Sequence, residues 1–100
     1  HWFIQRGLRG YSDRDVWNLD SYLCRWLPDA LADLKKGYGH PTALTMDEWK
    51  EALEEMRQGF IAHEQMNNWT SLQPGEYELL EKRFKTGMAK FTEWFGSLWD

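Results

Sequence analysis

The chain is poor in the residues that most often announce chemistry. Its single cysteine, Cys24, excludes an intramolecular disulfide and any multi-cysteine zinc or iron–sulfur site. One cysteine in 100 residues also fits a reducing compartment. No apolar stretch approaches the ~18 residues of a membrane span, because Asp, Glu, Lys or Arg interrupts each one. No signal-peptide pattern is expected, and for a chain starting at His1 the expectation is that a start methionine, with a leader or tag, has been removed or lies outside this sequence. There is no Gly-rich phosphate loop, no His-Glu-x-x-His and no nucleophile elbow. Internal repeats and low-complexity tracts are also missing. No cofactor, metal site or enzymatic activity is expected.

Aromatic residues, by contrast, are abundant. Sixteen of the 100 residues are Phe, Trp or Tyr, seven of them Trp. Each ring can bury on the order of 150–250 Å², and a domain of this size buries roughly two thirds of its unfolded surface. A small core therefore cannot absorb them all, and exposed Trp and Tyr are what interfaces and stacking sites use. Hydrophobic residues at 42% and charged residues at 28% place the chain among globular proteins, as one domain over 1–100. The charge is uneven. Residues 1–40 hold six basic and five acidic groups, whereas residues 41–100 hold six basic and eleven acidic. With a net charge of −4, sequence-specific binding of duplex nucleic acid is not expected, since that affinity comes largely from phosphate neutralisation.

Hydrophobic spacing predicts an all-α fold, a three-helix bundle preceded by an extended N-terminal arm over residues 1–11. Gly7 and Gly10 interrupt the arm, and no helical stripe is visible in it. Ser12 reads as the N-cap of a first helix over 12–37, with Asp13 and Asp15 suiting the positive end of its dipole. Val16, Leu19, Leu23, Trp26 or Leu27, Ala30 and Leu34 form its stripe, and Pro28 kinks or splits it. Thr45-Met46-Asp47-Glu48 is a capping box that opens a second helix over 45–68, striped by Trp49, Leu53, Met56, Phe60 and His63. Gly59, inside that helix, marks a place where a neighbour can come close. Pro74 and Gly75 start a third helix over 74–99, striped by Tyr77, Leu80, Phe84, Met88, Phe91, Trp94 or Phe95, and Leu98.

The polar groups have structural readings as well as chemical ones. His63, on a core stripe, reads as a satisfied, half-buried ring rather than a ligand. Cys24, on an apolar helix face, reads as a small hydrophobe rather than a thiol partner for it. The glutamates at 51, 54, 55, 64, 78 and 81 lack the Glu-x-x-His of helical carboxylate metal proteins and read as a solvated face. The densest polar and aromatic segment is 9–20. Asp13, Trp17 and Asp20 fall on one side of a helix by spacing, and Arg9 and Tyr11 lie just ahead of its N-terminus. Arg9, Tyr11, Asp13, Arg14, Trp17 and Asp20 could therefore hold an anionic nucleotide-type ligand. The same residues could equally form a structural network of ion pairs.

The ordered set Arg9-Gly10-Tyr11-Ser12-Asp13-x-Asp15-x-Trp17-Asn18-Leu19-Asp20, Trp26-Leu27-Pro28, Gly37-Tyr38-Gly39-His40-Pro41, Leu44-Thr45-x-x-Glu48-Trp49 and Leu98-Trp99-Asp100 resembles a family of small bacteriophage and prophage proteins. The resemblance covers nearly the whole chain. It implies a viral accessory protein in the host bacterial cytoplasm. Small phage proteins without enzymatic motifs act mostly by binding, so three functions stay open. One is a counter-defence binder that sequesters an anionic nucleotide-type immune signal. Another is an inhibitor that blocks a host defence nuclease, or another nucleic-acid-binding enzyme, through an aromatic and acidic surface. The third is a structural phage protein. Trp2, Phe3, Ile4 and Leu8 crowd the arm with apolar side chains that soluble monomers avoid exposing, so the arm must pack onto its own bundle or onto another subunit, and a homo-oligomer joined through it is the expectation.

Overall fold

A computed structural model describes residues 2–13, 16 and 18–99, and for Trp2, Phe3, Arg9 and Trp69 the backbone alone. Among these residues there are four α-helices, two short 3₁₀ turns and no strand. The helices are α1 (Trp2–Arg9), α2 (Leu19–Lys35), α3 (Met46–Met66) and α4 (Glu76–Trp94), with 3₁₀ turns at Trp69–Ser71 and Phe95–Ser97. The fold is all-α.

The expected extended arm is instead helical. Gly7 sits inside α1, where it weakens the helix by about 1 kcal/mol relative to Ala without ending it. Gly10 does end it, at a left-handed φ of 83°, with its N–H returning to the Arg6 carbonyl at 2.9 Å. The helix expected from Ser12 is also revised. The Val16 N–H bonds the Ser12 carbonyl at 3.3 Å, but Asn18 leaves helical geometry at φ −133° and ψ 54°. The long helix begins only at Leu19, where Tyr22 N–H bonds the Asn18 carbonyl at 2.9 Å. Asp15, one of the two acids assigned to that first turn, lies outside the described residues.

Pro28 does not split α2. It lies buried inside the continuous helix, and the packing around it offsets the backbone bond that the Cys24 carbonyl loses. The inward stripe of α2 is also rotated from the expected one. Leu31 is buried, with Cys24, Leu27 and Leu34 packed beside it, while Ala30, Val16, Leu19 and Trp26 are exposed.

The capping box forms as its spacing requires. Glu48 N–H donates to Thr45 Oγ1 at 3.1 Å, and Thr45 N–H donates to Glu48 Oε1 at 2.8 Å. Trp49, Leu53, Met56 and Phe60, at helical spacing, then face inward and are all buried. Burying each such side chain contributes about 1.5–3 kcal/mol. α4 runs antiparallel to α3 and adds Met88, Phe91 and Trp94 to the same core, with Leu98 beyond its end. Edge-to-face ring pairs Trp49–Trp94 (6.3 Å) and Phe60–Phe91 (5.1 Å) fix the register. Tyr77, expected on this stripe, is exposed at the start of α4. α3 is the common partner, with α2 and α4 each packed along it. The particle is flat, 43 × 42 × 19 Å, about two helix diameters thick.

Candidate functional site

The 9–20 segment is where the sequence reading placed a ligand. Arg14 and Trp17 lie outside the described residues, and so does the Arg9 side chain. Tyr11 is exposed. The two aspartates are committed to different helices. Asp13 is held to α1, its carboxylate accepting from Gln5 Nε2 at 2.9 Å and its N–H donating to Gln5 Oε1 at 2.7 Å. Asp20 is held to α3, 2.8 Å from His63 Nε2. Next to it, Asn67 Nδ2 donates to Ser21 Oγ at 3.3 Å. Both carboxylates therefore act as structural ties. Among the described residues, an aromatic–arginine pair is Arg6 over the Tyr22 ring, 5.1 Å from its centre, while the Tyr22 hydroxyl donates to the Gly10 carbonyl. Neither Arg6 nor Tyr22 was singled out by the sequence reading, because the ring is twelve residues beyond Gly10.

The His63 hydrogen bond lowers the Asp20 pKa below the usual carboxylate range. His63 itself is half-buried, with its ring 4.8 Å from that of Phe84. Burial, with the carboxylates of Glu64 and Asp20 adding to it, pushes the Cys24 thiol up to about 11. At neutral pH it is protonated and a poor nucleophile. Among the described residues, no three His, Cys, Asp or Glu side chains are placed to hold a metal ion.

Of the depressions between α3 and α4, two are lined by charged side chains of both helices. The larger, about 620 Å³, has α3 carboxylates Glu51, Glu54 and Glu55 along one wall and Lys82 and Arg83 of α4 along the other, with Leu79 exposed. Lys35 of α2 closes one side and pairs with Glu54 at 3.3 Å, and Arg57 reaches the same carboxylate at 3.1 Å. The Glu54 carboxyl is held below its ordinary pKa first by Gln58, whose side-chain amide donates at 2.8 Å, and then by these cations. Among the described residues, Lys50, Lys82 and Arg83 have no ion-pair partner.

The smaller hollow, about 190 Å³, is acidic. Glu48, Glu51, Glu55 and Glu93 line it with a lone cation, Lys90. The hydrogen bonds from Thr45 hold the Glu48 carboxyl low and ionised at neutral pH. The Trp49–Trp94 contact brings the start of α3 to the end of α4, and three exposed rings lie in the segments that adjoin these helix ends in sequence. They are Tyr38 (89% exposed) in the α2–α3 connection, and Phe95 (63%) and Trp99 (69%) beyond α4. The sequence signalled a ring surplus without saying which rings it concerned. Phe95 was read only as an alternative to Trp94 on the core stripe, and the structure buries Trp94 more deeply.

No family model matches this chain, and no curated protein or solved structure matches it either. Among the described residues, no helix is long and apolar enough to cross a membrane.

Proposed function

We propose that the protein is a non-enzymatic phage accessory protein. On this reading it counters host defence in the bacterial cytoplasm by binding and blocking a basic, nucleic-acid-handling enzyme such as a defence nuclease. The three long helices, read as a bundle centred on α3, are the scaffold for the binding end. One observation carries the proposal: four carboxylates line the α3–α4 hollow beside Lys90, and Tyr38, Phe95 and Trp99 stand exposed in the segments that adjoin these helix ends in sequence. Carboxylates suit a cationic channel built for phosphates, and exposed aromatic rings are the side chains that most often anchor interfaces.

The test is phage plating on bacteria that carry a nuclease defence and express the protein. Wild type restores plating and inhibits the nuclease in vitro. The combined substitution Glu93→Lys and Trp99→Ala abolishes both while leaving the thermal melt unchanged, since both residues are exposed. Equal inhibition by this variant would refute the proposal.

A second reading, sequestration of an anionic nucleotide-type signal, is supported by Lys50, Lys82 and Arg83 in the larger groove. It predicts that cyclic dinucleotides at 100 times their Kd stabilise the fold by about 2.7 kcal/mol. It also predicts that Lys82→Glu with Arg83→Glu removes that shift.

A further inference from the structure

Along α3, Lys50, Glu54 and Arg57 recur at four- and three-residue spacing and so share one face. Ala32, Lys35 and Lys36, at the end of α2, join them in lining a hollow of about 410 Å³ between the two helices. Lysine and arginine supply four of these six side chains and a carboxylate only one. The chain as a whole leans the other way, with a net charge of −4.

Pairing within the chain does not cancel this charge. Lys36 is matched by Asp33, 3.4 Å away. Glu54 has both oxygens taken, Oε1 by Lys35 at 3.3 Å and Oε2 by Arg57 at 3.1 Å and Gln58 at 2.8 Å. These bonds keep its carboxyl ionised, yet it brings one negative charge to two cations. Lys50 has no ion-pair partner among the described residues. With Lys36 set against Asp33, the cations Lys35, Lys50 and Arg57 exceed the single Glu54 by two charges. The carbonyl end of α2 offsets about half a unit of that excess. Arg57 Nε is buried without a hydrogen-bond partner among the described residues, so the guanidinium keeps donor capacity that Glu54 does not use. The larger groove adds no excess of its own, because its Lys82 and Arg83 are balanced by Glu51 and Glu55.

We propose that the α2–α3 hollow binds a diphosphate group, with Lys35, Lys50 and Arg57 as its cationic ligands. A group carrying at least two negative charges matches the excess, which a monoanion would leave partly unmet. Guanidinium supplies planar paired donors and ammonium a point charge, and phosphate oxygens accept from both. Glu54 is a positioning residue, tying Lys35 of α2 to Arg57 of α3. The site is separate from the acidic end that carries the proposed function. It rests on the second reading only for the class of ligand, and it moves the phosphates from Lys82 and Arg83 of α4 to the side of α2.

Calorimetric titration of the whole chain with inorganic pyrophosphate, and separately with ADP, tests the site at about 0.15 M salt, where charges beyond about 8 Å are screened. Pyrophosphate should bind with a Kd below about 1 mM. Lys50→Gln should raise that Kd at least ~10-fold and Lys50→Arg should restore it. Lys82→Gln with Arg83→Gln should leave it unchanged, and circular-dichroism melts report whether each variant is folded. A further measurement needs no variant: the wild-type Kd should rise with salt, because these cations are partly exposed. Tighter binding of ADP identifies a nucleotide as the source of the diphosphate, and equal affinity a free diphosphate; either supports the site. No pyrophosphate binding at ten times the expected Kd overturns it, as does a Kd that ignores salt. Equal binding by folded Lys50→Gln also overturns it. So does a loss confined to the Lys82 and Arg83 variant, which places the anion in the larger groove and leaves the second reading standing.

Discussion

Gly59 of α3 and Gly87 of α4 meet backbone to backbone. A Cβ on Gly87 would lie 2.7 Å from the Glu55 carbonyl oxygen and 2.8 Å from the Gly59 Cα. A Cβ on Gly59 would lie 2.9 Å from the Gly87 Cα. Neither backbone can yield as a side chain could. The close approach sets the depth at which the α4 rings reach the core, and it places the two helix walls that frame both depressions.

Gly87→Ala should therefore destabilise the protein. Overpacking of this kind costs about 1–3 kcal/mol, against a helix-propensity gain of up to ~1 kcal/mol. Urea unfolding reads the difference. A variant more stable than wild type would show that the helices separate without cost.

Leu53 is fully buried at the centre of α3. Leu53→Ala should cost about 2–5 kcal/mol, the transfer loss plus the cavity left behind. A loss below ~1 kcal/mol in chemical denaturation would mean that the core around α3 collapses to refill the site.

The Thr45–Glu48 capping box gives a smaller and local effect. Thr45→Ala removes the acceptor for the Glu48 N–H and should cost about 0.5–2 kcal/mol, while Thr45→Ser should restore most of it. Hydrogen exchange should rise first in the opening turn of α3. Unchanged protection there would count against a capping role.

The Asp20–His63 bond predicts a pH dependence. Asp20 has a lowered pKa in the folded chain, so its contribution is complete above the ordinary carboxylate value of 3.8 and is lost as pH falls through the lower folded value. Between about pH 5 and pH 2, wild-type melting temperature should fall more steeply than that of Asp20→Asn. The Asn variant should start lower at pH 7 and converge with wild type in acid. Parallel curves would show that the carboxylate contributes nothing through this bond.

Part of this protein is legible in its sequence. The capping box, the Trp49–Phe60 stripe and the three long helices rest on bonds and contacts between residues three or four apart. Such spacing is visible without knowing where anything else lies. α1 escaped the same reading because two glycines look alike in a sequence. Only the structure separates Gly7, tolerated inside a helix, from Gly10, whose left-handed φ ends it.

Tertiary structure decided the rest. Asp20 and His63 are 43 residues apart, and their pairing depends on where α2 lies along α3. The same placement rotates α2 so that Leu31 is buried rather than Ala30, a choice that helical periodicity leaves open by one residue. It also leaves Tyr38, Phe95 and Trp99 exposed while Trp49 and Trp94 pair inside. Composition establishes that some rings must be exposed, because a small core has too little volume for sixteen. Which ones are exposed follows from how the helices are rotated and spaced, and that is set by packing across the whole chain.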